Sequence, residues 1–186
     1  MAFAAAVSVS AAQADETRAQ CPALAEIDLA ALSNLSFDVV AARQVLQAEA
    51  VPQLGDADTV LRFYTFSDGG RGVADTTHAV ARHAKGGWHL ARRRNASDPM
   101  AGHLGAADAA TLDAALADRC LAREPDYAPR TIPMLGGGGE TCFDGATFYL
   151  QIERAGMVRT IRHDCRARWR AGEIMLLLRN AVLAPD

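Results

Sequence analysis

Four cysteines, five histidines and two runs of arginine carry most of the chemistry this chain could perform. The densest group is the row His163-Asp164-Cys165, which holds the residue types of a nucleophile, a base and an orienting acid. On a strand, Asp164 points away from the other two. His163 and Cys165 share a face, but two strand steps hold their Cα atoms roughly 7 Å apart, a poor start for a nucleophile–base contact. Catalytic triads are assembled from chain-distant residues. No catalytic residue is therefore assigned from the sequence.

The cysteines suit disulfides better. Cys21, Cys120, Cys142 and Cys165 allow three pairings. Cys142–Cys165 with Cys21–Cys120 is expected, provided that a turn at Asp144-Gly145 folds Cys142 back toward Cys165.

Arg92-Arg93-Arg94 ends one candidate strand, and Arg159 and Arg162 sit on another with Arg166, Arg168 and Arg170 close behind. If the two hairpins are neighbours, these guanidinium groups form one patch for an anionic ligand or an acidic protein. Arginines at strand ends also guard sheet edges against aggregation. His83 and His89 face each other if the intervening loop is the three residues Lys85-Gly86-Gly87, and separate if it is a two-residue turn. No CxxC, HxxxH or HExxH spacing accompanies them, so they are read as surface histidines and no metal or other cofactor is expected. "MLGGGGET" lacks the Lys-Ser/Thr of a phosphate loop.

The elements that must position these residues follow from periodicity. The chain has 186 residues, half of them hydrophobic, which fits one domain with a sizeable core. The formal charge of −3 argues against nucleic acid as a partner. Residues 1–14 end in Ala12-Gln13-Ala14, an A-x-A cleavage signature, and are read as a signal peptide lacking the usual basic start. Residues 15–186 form the domain. No other apolar run is long enough to span a bilayer. A periplasmic or secreted location follows, as does the oxidising chemistry the cysteines need.

Helical spacing predicts helices over 39–50, 106–122 and about 174–182, with a helical turn in 22–31. On the second helix Leu112, Leu116 and Cys120 share one face. "TVLRFYTF" at 59–66 is a strand. "TTHAVARHA" with "WHLARRR" is a hairpin, and "NASDPMAGHLG" is irregular. A second hairpin turns at Ala155-Gly156, so that Phe148 faces His163, Leu150 faces Ile161, and Cys165 lies opposite Ala146. The expected fold is α+β: an antiparallel sheet of hairpins, packed by about three helices and stapled by disulfides. The expected function is non-enzymatic binding. The rival is an extracytoplasmic enzyme whose cleft gathers Arg and His from both hairpins.

Overall fold

The computed structural model describes residues 21–35, 38, 42, 46, 57–67, 74–83, 87–94, 100–142, 145–181 and 183–184. The proposed signal peptide lies outside them. So does the helix expected over 39–50, except for Ala42 and Leu46; Asp38, just before it, is described. Ala42 N–H donates to the Asp38 carbonyl at 2.9 Å, a helical hydrogen bond, and Ala42 and Leu46 are buried.

Strands β1 (Thr59–Phe66), β2 (Thr76–His83), β3 (Gly87–Arg94) and β4 (Met100–Leu104) come first, after a 3-10 turn at Pro22–Leu24 and a short helix α1 (Leu29–Ser33). Helices α2 (Ala106–Ala117) and α3 (Arg119–Arg123) follow, then the short strands β5 (Tyr127–Ala128), β6 (Thr131–Pro133) and β7 (Gly139–Thr141). The long hairpin β8 (Ala146–Arg154) and β9 (Met157–Cys165), helix α4 (Trp169–Asn180) and β10 (Leu183–Ala184) complete the chain. One eight-stranded sheet has the order β10-β4-β3-β2-β1-β8-β9-β5; β6 and β7 pair separately. All pairs are antiparallel except β5 with β9.

Strand alternation sorts the side chains. Leu61, Phe63, Val80, Leu90, Phe148, Leu150 and Ile161 point to one face, where Leu112 of α2 and Ile174, Met175 and Leu178 of α4 cover them. Each such buried side chain stabilises the fold by about 1.5–3 kcal/mol, so the wide apolar stripe of α4 fixes it to the sheet. Tyr64, Phe66 and Tyr149 point to the other face and pack with Ala42, Leu46 and Ala74. A third cluster gathers Cys21, Leu24, Ile27, Leu32, Ala128 and Ile132, with Cys120 and Trp169 against it.

The β8–β9 register is the expected one: Phe148 pairs with His163, Leu150 with Ile161 and Ala146 with Cys165. Ala155 and Gly156 both take positive φ, 50° and 75°, as a tight two-residue hairpin turn requires.

Three expectations are corrected. The helix over 106–122 is two helices, because Asp118 turns extended at ψ 123° and its carboxylate accepts from Cys120 N–H at 2.7 Å, restarting the helix as an N-cap. Cys120 thereby leaves the Leu112 stripe. In the first hairpin His83 pairs with Gly87 and Ala81 with His89, since Gly87 at φ 72° already belongs to the ladder. Part of the irregular stretch, Met100–Leu104, is β4, held by pairing with β3 despite its weak strand propensity.

Candidate functional site

Both bridges have the expected partners: Cys21–Cys120 with Cα atoms 5.7 Å apart, and Cys142–Cys165 at 6.2 Å. Gly145 makes the second one reachable. It sits at φ 140°, and a Cβ there would lie 2.2 Å from the Cys165 carbonyl oxygen, so only glycine lets the chain pass this close. With Cys165 bridged, the row His163-Asp164-Cys165 holds no thiol.

Its other members are structural as well. His163 is fully buried; its Nδ1 accepts from Arg168 N–H at 3.1 Å, and its ring meets Trp169 edge-on. Burial, with Arg168 and Arg159 nearby, pushes its pKa down to about 3, so it stays neutral and is a poor proton acceptor at neutral pH. Asp164 points to the opposite face and is saturated. It accepts from Arg162 Nε at 2.9 Å and the Arg162 terminal nitrogen at 3.2 Å, from Thr147 Oγ1 at 3.1 Å, and from the Tyr127 hydroxyl at 3.0 Å. The Arg162 guanidinium also lies over the Tyr127 and Tyr149 rings, at 5.4 and 5.6 Å. Burial, then Asp164, pushes the Tyr127 hydroxyl up to about 12.

The arginines of the two hairpins do not share a patch. β1 lies between the hairpins, and the arginines are on the outer strand of each: β3 and β9 have β2, β1 and β8 between them. At about 4.8 Å per strand that separation is roughly 19 Å. Arg93 and Arg162 do occupy one row, through Thr77, Tyr64 and Tyr149, whereas Arg92 and Arg94 point to the helix-covered face. Arg159 is bound to Asp126 at 2.7 Å and to the carbonyls of Leu121 and Glu124.

A cleft of about 470 Å³ opens beside the Cys21–Cys120 bridge, walled by Leu24, Trp169, Arg119, Arg170, Glu124 and Glu173. Glu124, Arg170 and Glu173 already serve the fold. The Glu124 carboxylate accepts from Arg170 N–H at 2.6 Å and Ala171 N–H at 2.9 Å, capping α4. Burial raises its pKa to about 7 against those hydrogen bonds. The Arg170 side chain pairs with Asp118 at 2.7 Å and with Glu173.

The histidines divide differently. His78 is buried, edge-on to Phe63 at 5.2 Å, and its pKa falls to about 4 through burial and then Arg92. His83, His89 and His103 are all half-exposed and all point to the face opposite α2 and α4. His89 is directly paired with His103 on β4, their ring centroids 4.0 Å apart, and His83 reaches His89 diagonally at 5.0 Å. The sequence left the facing of His83 and His89 open between two turn lengths; the observed register is neither of them, and His103 was not grouped with the pair. No local signal marked His103, because Met100–Leu104 has little strand propensity of its own. Among the described residues no three His, Cys, Asp or Glu side chains converge on one ion in this conformation, and no helix is long and apolar enough to cross a membrane.

Comparison with protein-family models, with curated proteins and with solved structures finds no match.

Proposed function

We propose that this is an exported, non-enzymatic binding protein whose working surface is the histidine face formed by β2, β3 and β4. The observation that carries this reading is the gathering of His83, His89 and His103, half-exposed, on three adjacent strands. The other reactive groups described above serve the fold: two bridges, a saturated Asp164, a neutral buried His163 and a capping Glu124. The separation of the two arginine-bearing strands weighs against a catalytic cleft gathered from both hairpins. Arg159 and Arg162 are engaged within the fold, which weighs against their part in meeting an anionic ligand or acidic protein. Export is supported by the two disulfides, which persist in oxidising compartments.

A surface kept for binding contributes little to folding. The triple variant His83→Gln, His89→Gln, His103→Gln is expected to unfold within about 1 kcal/mol of the parent in urea. A loss above about 3 kcal/mol makes the three histidines part of the scaffold and overturns the reading.

A further inference from the structure

We infer that the histidine face binds a divalent transition-metal ion of the zinc, copper and nickel class, with His89 as the central ligand and His83 and His103 on either side. This rests on the reading of that face as a binding surface and names its ligand. Imidazole is the ligand type these ions share, whereas magnesium and calcium take oxygen ligands. The spacing fits. A metal about 2.0–2.1 Å from each ligating nitrogen lies about 3.2 Å from each ring centre. Two such rings are then about 5 Å apart at a tetrahedral angle, and about 4.5 Å apart at a right angle. The observed 5.0 Å for His83–His89 agrees with those values, whereas 4.0 Å for His89–His103 is short of both, so that pair must open by about 0.5 Å.

The rings do not yet aim at one point: the first pair is crossed at 87° and the second tilted at 56°. Convergence is reached by rotation about χ1 and χ2, with His89 and His103 exchanging their present contacts for the metal, because the backbone already sets the positions. His89 and His103 are directly opposed on adjacent strands, where Cβ atoms lie about 4.5–5.5 Å apart. His83 is a diagonal neighbour, a separation still within reach of long and aromatic side chains. All three are partly exposed, so a coordination position is left for water. His78 and His163, buried on the helix-covered side of the sheet, take no part.

The test uses the untagged, oxidised protein and the metal salts alone. Calorimetric titration at pH 7.5 with zinc, nickel and copper(II) should give one saturable site, with none for magnesium or calcium. Changing His89→Gln should weaken binding by at least the roughly 10-fold that loss of even an outer-shell partner costs. Substoichiometric nickel or copper(II) added to the unsubstituted protein should broaden the imidazole proton resonances of His83, His89 and His103 before any other histidine. This measurement holds even where a variant folds poorly. Absence of saturable binding overturns the metal assignment, as does broadening centred elsewhere or affinity unchanged in the triple variant. None of those results touches the binding-surface reading, which falls only if the histidines prove to be structural.

Discussion

Replacing Gly145 with alanine should uncouple one staple from the fold. The new Cβ would meet three backbone atoms of Cys165, the oxygen at 2.2 Å and the carbonyl carbon and Cα at 2.8 Å each. No side-chain rotation relieves a backbone clash, so the chain at 145 must retreat by about an ångström to regain van der Waals distance. The Cys142 and Cys165 Cα atoms are already 6.2 Å apart, near the upper end of what a disulfide spans. The retreat therefore disfavours the bridge. The cysteines are 23 residues apart, and the chain-entropy relation gives such a loop about 3.5 kcal/mol. Alanine held in a glycine-only backbone region costs a further ~1–3 kcal/mol. The combined loss of about 5 kcal/mol is a large part of a net stability of ~5–15 kcal/mol. With a urea dependence of about 2 kcal/mol per molar, the oxidised midpoint should fall by roughly 2.5 M. Under reductant, where neither protein has the bridge, the difference should shrink to the strain alone. Non-reducing peptide mapping should find Cys21 still joined to Cys120 in Gly145→Ala, with Cys142 and Cys165 free. Two intact bridges and an oxidised midpoint within about 0.3 M of the parent would refute this reasoning.

Three further outcomes follow from the buried polar groups. Glu124, raised from 4.5 to about 7, stabilises the fold fully below pH 4.5 and loses that contribution as pH rises toward 7; Glu124→Gln should remove about 3 kcal/mol of this decline, measured as unfolding free energy at pH 4.5 and 7.5, and an unchanged decline would contradict it. His78, lowered from 6.5 to about 4, acts in the opposite direction: its contribution is present above pH 6.5 and is lost on acidification. His78→Leu should flatten the acid limb between pH 6.5 and 4 by about 3 kcal/mol, and a parallel limb would count against it. Asp164→Asn leaves Arg162 without its carboxylate and should cost about 3 kcal/mol, with part recovered by adding Arg162→Leu; a loss under 1 kcal/mol would mean the pair is idle.

What the sequence disclosed was local. Alternation in Phe148, Leu150 and Ile152, with Ala-Gly at the turn, set the β8–β9 register and placed Cys165 opposite Ala146. Once Cys142 could fold back over Gly145, the pairing of Cys21 with Cys120 followed by elimination. What stayed hidden depends on distant partners. "MAGHL" has little strand propensity, and only β3 makes it β4, so His103 could not be joined to His89. The Ala-rich run 106–122 conceals its break, because Asp118 caps a new helix through one backbone contact. Nothing local announces that β1 inserts between the two hairpins and so separates Arg93 from Arg162.

A doubly bridged scaffold carries every element described, and a thiol titration tests it most directly. The full chain, directed to a bacterial periplasm by a supplied export leader, is unfolded without reductant and its thiols are counted. The account predicts none, with Cys21 linked to Cys120 and Cys142 to Cys165 in the peptide map. Four titratable thiols, together with a melting temperature that reductant does not change, would contradict it.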